Sequence, residues 1–127
     1  MEPSARVYDL EDRTARLGEA VIRFCKTVPL TAITEPLVRQ IVRSATSVGA
    51  NYCEADDAVS GKEFRQKIGT CKKEARETKH WLRMLAVAEP DRAEQARALW
   101  REANELMLIF ASIFRKLSTK REKPKPK

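Results

Sequence analysis

Glu77 and His80 stand three residues apart in Glu77-Thr-Lys-His80, the Glu-x-x-His spacing that supplies ligands to carboxylate-bridged metal bundles. Such a centre needs a second copy of the motif and two further inward glutamates. The chain holds a single histidine, and Arg76 and Lys79 surround the motif with positive charge, so no metal or other cofactor is expected. Ser44 and Ser47 offer hydroxyls, and Glu74 and Glu77 offer carboxylates, but no nucleophile is paired with a base in the way acyl transfer requires. A glycine-rich phosphate loop and a Gly-x-Ser-x-Gly elbow are both absent. The three cysteines, Cys25, Cys53 and Cys71, are too dispersed for a zinc or redox pair and sit in apolar helical pattern. They read as reduced core thiols of a cytoplasmic protein. The chemistry on offer is therefore not that of an enzyme.

Charge is the stronger signal. The 127 residues carry a formal net charge of +7, and five basic residues against one Glu give the last eight positions +4 of it. An excess of this kind suits an anionic partner, RNA or DNA before membrane lipid, held by phosphate contacts with little reading of bases. The candidate contacts are Lys62, Arg65, Lys67, Lys72, Lys73, Arg76, Lys79 and Arg83, with Lys120, Arg121, Lys123, Lys125 and Lys127 in the tail. Taken singly, many of these also fit ordinary pairing with neighbouring Glu residues on a solvated helix face. The longest nearly apolar run, 106–114, spans only about 13 Å as a helix, so no membrane crossing is expected.

The elements that must position these residues follow from apolar period. Four blocks at helical spacing are predicted, over about 10–28, 34–59, 61–88 and 91–117. The second places Val38, Ile41, Ala45, Val48, Tyr52, Ala55 and Val59 at alternating steps of three and four. The third repeats this with Phe64, Ile68, Cys71, Ala75, Thr78, Leu82 and Leu85, and the fourth with Ala96, Leu99, Ala103, Leu106, Phe110, Ile113 and Leu117. Asp9, Thr34, Ser60 with Glu63, and Asp91 with Glu94 are the expected starts. Connections this short join antiparallel neighbours, which predicts an all-α, up-down-up-down four-helix bundle over 1–118 and a disordered basic tail over 119–127.

Two polar features flank the seams. Ser44, Ser47, Asn51 and Glu54 run one residue before the second helix's apolar stripe, and an antiparallel fold about Ser60 turns Ser44 and Ser47 towards Glu74 and brings Arg43 near Glu77. The expected role of Arg43, Ser44, Ser47, Asn51, Glu54, Glu74 and Glu77 is a structural interhelical network that fixes register. On the fourth helix, Trp100, Met107, Leu108, Ile109 and Phe114 lie outside the core stripe. They bury either deeper in the bundle or against another copy of the chain.

The segments Gln40-Ile-Val-Arg-Ser-Ala-Thr-Ser-Val-Gly-Ala-Asn-Tyr-Cys-Glu54 and Lys73-Glu-Ala-Arg-Glu-Thr-Lys-His-Trp-Leu82 resemble the bacterial four-helix-bundle proteins encoded by intervening sequences within 23S ribosomal RNA genes. The accessory variability determinants of diversity-generating retroelements share that bundle. The resemblance runs from about Tyr8 to Leu117, and Arg43, Ser44, Ser47, Asn51, Glu54, Glu74, Glu77 and Trp81 match its pattern. It implies a barrel-like homopentamer without known catalytic activity. For the retroelement branch it also implies a basic surface that engages nucleic acid and a partner reverse transcriptase. The Lys-Pro tail has no counterpart in the pattern. The expected function is that of a non-enzymatic accessory protein binding RNA or DNA, with a protein-protein scaffold as the alternative.

Overall fold

A computed structural model of the chain describes the backbone of residues 9–122 and the side chains of residues 9–117. Four helices, α1 (Leu10–Cys25), α2 (Thr34–Asp56), α3 (Gly61–Ala88) and α4 (Ala93–Glu122), follow one another, with a single 3-10 turn at Pro90–Arg92. Each packs on its neighbour in sequence and α4 returns to α1, which closes an all-α four-helix bundle. Contacts run in opposite directions along each seam. Glu54 meets Lys67, Val48 meets Cys71 and Ser44 meets Thr78 between α2 and α3, while Gly69 meets Phe114 and Lys79 meets Asn104 between α3 and α4.

The core is the set of stripes expected from period: Ile41, Ala45, Val48 and Ala55 from α2, Ile68, Cys71, Ala75, Leu82 and Leu85 from α3, and Ala96, Ala103, Leu106 and Phe110 from α4 are all buried. Leu10, Leu17, Val21 and Phe24 supply α1's share. Phe110 is the largest of the fully buried side chains and tilts against Tyr52 with ring centroids 6.1 Å apart. Full burial of such a side chain contributes about 1.5–3 kcal/mol. Small residues let α1 and α2 come close: a Cβ on Gly49 would sit 3.3 Å from Thr14 Oγ1.

Helix ends depart from expectation where side chains have better partners. At α3, Ser60 Oγ accepts from the Glu63 N–H at 3.1 Å, while the Glu63 carboxylate reaches back to Val59 N–H at 3.2 Å, one residue earlier than a strict capping box. Thr34 does not cap α2. It is the first helical residue, and Thr31 Oγ1 accepts instead from the N–H groups of Ile33 and Thr34, both at 3.1 Å. Thr34 Oγ1 in turn donates to Pro29 O at 2.6 Å, which ties the α1–α2 connection to the start of α2. Asp9 makes no side-chain cap bond at α1, and α4 follows directly on the 3-10 turn, whose own cap residue, Glu89, makes no side-chain cap bond.

Three further expectations are corrected. Helix α2 stops at Asp56, so Val59 leaves the apolar stripe and is 92% exposed in the α2–α3 turn. Helix α4 continues to Glu122, so residues 119–122 of the expected disordered tail carry helical backbone; Lys123, Lys125 and Lys127 lie outside the described residues. Cys53 is exposed, whereas Cys25 and Cys71 are buried.

Burial pushes the Cys25 thiol up to about 11 and the Cys71 thiol up to about 12, so neither ionises at neutral pH. A thiol reagent added to the native protein should therefore modify Cys53 quickly and the other two only on unfolding, and Cys53→Ser should abolish the fast phase. Fast native labelling of Cys71 would contradict the α2–α3 packing. Phe110→Ala should lose about 3–5 kcal/mol of unfolding free energy in urea titration.

Candidate nucleic-acid interface

Helix α3 is the central element of the charged surface, since it packs on both α2 and α4 and exposes one remaining face. Its period separates its cations into groups. Lys62, Lys73, Arg76 and Arg83 fall on the outward face, all exposed, and none makes an ion pair among the described residues. At 1.5 Å per residue this row extends over about 31 Å. His80 lies on the same face, its ring 4.8 Å from that of Trp81.

Arg65, Lys72 and Lys79 recur at steps of seven and turn instead towards α4. The Arg65 guanidinium lies 4.0 Å from the Phe114 ring centroid, and Lys72 Nζ stands 5.4 Å from the same ring. Lys79 Nζ donates to Asn104 Oδ1 at 2.8 Å and rests 4.8 Å from the Trp100 centroid. Burial, with help from the charge of Arg76, lowers the Lys79 pKa from its ordinary value. Lys67 reaches the other way and pairs with Glu54 across the α2–α3 seam. Of the eight α3 cations read from the sequence, four thus remain outward and four are engaged within the bundle.

This inward set also accounts for most of the surplus apolar surface of α4. Trp100, Met107 and Phe114 are half-buried against the core beneath these cations, and Ile109 is half-buried as well. Leu108 alone of the five stays largely open, at 55% exposure. The wide apolar stripe is used within the chain because long cationic stems cover aromatic faces while keeping their charged ends near water.

The polar network on the α2 side separates into parts. Ser44 and Thr78 are fully buried, and their hydroxyls bond at 2.9 Å, so Ser44 meets Thr78 and not the Glu74 carboxylate. Arg43 spans the seam: Nη1 donates to Glu74 Oε1 at 3.3 Å and Nη2 to Glu77 Oε2, which also accepts from Trp81 Nε1 at 3.1 Å. Asn51 bonds its own helix, at Ser47 O, and takes no part across the seam. Glu77 is thus occupied by Arg43 and Trp81, and no group of three or more His, Cys, Asp or Glu side chains that could hold a metal occurs among the described residues. Sequence spacing did not reveal a further bridge, in which Arg13 of α1 makes a two-pronged contact to Glu102 of α4 at 3.0 and 3.1 Å and also reaches Glu105.

At the end of the bundle where α3 meets α4, Leu82, Arg83, Ala86, Ala96, Arg97 and Trp100 line a cleft of about 380 Å³. Arg83 belongs both to the outward row and to this cleft. Period within one helix gives no sign of it, because its walls come from the end of α3 and the beginning of α4.

The model of the 23S rRNA-intervening sequence protein family matches residues 8–112, which takes in every element just described up to the last turns of α4. The chain belongs to that family. A solved structure similar to it is a protein of unknown function from the S23 ribosomal protein family of Bacteroides thetaiotaomicron VPI-5482. The two are 27% identical and superpose with a TM-score of 0.74 over 86% of this chain and 97% of that one. No match is found among curated proteins. Among the described residues, no helix is long and apolar enough to cross a membrane. Within the matched range, Arg43, Glu74, Glu77 and Trp81 come together at the α2–α3 seam, beside the buried Ser44–Thr78 pair.

Burial works to raise the Glu77 pKa, but the Trp81 and Arg43 donors outweigh it and hold the carboxyl below its ordinary value. A lowered carboxyl pKa adds stability above the unfolded value, about 4.3 for Glu, and that stability is lost as pH falls through the folded value. The melting temperature of the wild type should accordingly fall more steeply below about pH 4.3 than that of Arg43→Ala. Superimposable pH profiles would show that the clamp does not hold in solution.

Proposed function

We propose that the protein is a non-enzymatic accessory factor that binds the phosphate backbone of RNA or DNA through the outward face of α3, assembled as a homopentamer in the cytoplasm. One observation carries this reading: Lys62, Lys73, Arg76 and Arg83 form an exposed row with no acidic partner among the described residues, while the acids of α3 are turned to the α2 side or to its first turn. Long basic side chains left without partners on a single face suit a polyanion, because each phosphate neutralised releases counterions. The tail cations Lys120, Arg121, Lys123, Lys125 and Lys127 add further positive charge to the chain. Membership of a family named for an intervening sequence of 23S rRNA supports an RNA context. In the retroelement branch of the resemblance, the working partner is a reverse transcriptase.

A second reading is a protein-protein scaffold whose charge serves solubility. It is favoured by Leu30, Ile33, Val87 and Leu108, which are all more than half exposed. The two separate on salt. In the first reading, the logarithm of affinity for RNA falls linearly with that of salt, at about 0.7–0.9 per phosphate contact, and deleting residues 119–127 makes the slope shallower. A scaffold binds its partner after nuclease treatment and shows no such slope with RNA.

A further inference from the structure

The cleft between the end of α3 and the start of α4 combines two kinds of wall. Leu82, Ala86, Ala96 and Trp100 are apolar, while Arg83 and Arg97 are exposed cations at its edge, and no acidic residue lines it. Its volume of about 380 Å³ falls within the range of small-ligand clefts, about 300–1,000 Å³. A ligand that satisfies both walls has a flat, weakly polar body joined to an anion. Two other clefts among the described residues do not offer this. The groove between α1 and α2 contains Glu11 and Glu19, and the one between α1 and α4 has a single cation, Arg23.

We propose that this cleft takes one unpaired nucleotide of a bound single strand, with its base against the Trp100 indole and its phosphate held by Arg83 and Arg97. The inference rests on the backbone-binding reading above and deepens it. Aromatic side chains serve as platforms for bases because every base has a π-face, and arginine adds both charge and planar stacking. Lys79 already holds the indole in place from within the bundle, its ammonium 4.8 Å from the ring centroid and bonded to Asn104. The ring is thereby ordered before any ligand arrives. Arg83 links the cleft to the row: Lys73, Arg76 and Arg83 cover about 15 Å of α3, so a strand whose phosphates follow these residues reaches the cleft without a break. A duplex keeps its bases stacked and paired and presents none to the cleft. The site therefore selects single strands on a surface whose charge alone would accept either form.

The test uses the full chain carrying Trp81→Phe, which leaves Trp100 as the only tryptophan, with fluorescence read alongside anisotropy of a labelled single-stranded RNA of about 12 nucleotides. The intact strand is expected to quench Trp100, and an abasic strand of equal length is expected to bind without quenching. Trp100→Ala should weaken the intact strand by about 5- to 150-fold and leave the abasic strand unchanged. Because Trp100 also packs on the core, Arg97→Gln provides a second arm. It should weaken the intact strand more than the abasic one with an unchanged thermal melt. Equal affinity for intact and abasic strands, with undisturbed Trp100 emission, would overturn the nucleotide cleft and leave the charged face standing. Binding of neither strand would overturn both. Quenching by adenosine monophosphate at the same concentrations as the strand would overturn the link between row and cleft. Equal quenching by an acidic aromatic peptide would overturn the assignment to a nucleotide.

Discussion

The antiparallel register of α2 on α3 is the constraint from which the rest of the molecule follows. It is set mainly by shape, because Ala45, Val48, Cys71 and Ala75 are small and fully buried and let the two helices approach closely along the seam. The Ser44–Thr78 bond lies in the middle of that seam. Its own contribution is modest, since Thr78 also bonds Glu74 O and Ser44 lies near Ile41 O, so either hydroxyl has a fallback on its own helix. The Arg43 clamp is half exposed and adds little, as surface ion pairs contribute about 0–1 kcal/mol.

Once α3 is fixed against α2, its remaining cations have only two places to go. The row at Arg65, Lys72 and Lys79 lands over α4 and covers Phe114 and Trp100, and the row through Lys62, Lys73, Arg76 and Arg83 is left to solvent. The division has a consequence for the fold as well as for binding. The inward row completes the core by shielding aromatic surface that a four-helix bundle of this size otherwise exposes, and the outward row makes no ion pair among the described residues.

Much of this was legible in the sequence because the α2, α3 and α4 stripes keep a strict three-four alternation, which leaves no ambiguity about which face is buried. The helix starts were less legible. Thr31 and Thr34 are equivalent as hydroxyls, and the carbonyl of Pro29 decides between them by drawing Thr34 Oγ1 away. Val59 was misplaced for a related reason: α2 unwinds at Asp56, ahead of Ser60, so period carried past the helix end assigns Val59 a core position it does not have, whereas Cys53 lies within α2 but off the buried stripe of Ile41, Ala45, Val48 and Ala55. The cations were legible as a group but not as two groups. A step of seven from Arg65 to Lys72 to Lys79 already separates them from Lys62, Arg76 and Arg83, and it takes the position of Phe114 and Trp100 across the seam to show which row turns in. The cleft at Trp100 was not legible at all, because it exists only where two helix ends meet.

The central claim is that position on α3, and not net charge, makes the working surface. The direct measurement compares two variants of identical charge for RNA affinity at fixed low salt. In one, Lys62, Lys73, Arg76 and Arg83 are replaced by Gln; in the other, Arg16, Arg23, Lys26 and Arg39, exposed cations of α1, the α1–α2 connection and α2, are replaced by Gln. The account predicts that the first variant loses binding and the second retains most of it. Equal losses would contradict the account, since they would mean that the protein attracts polyanions as an undifferentiated positive body.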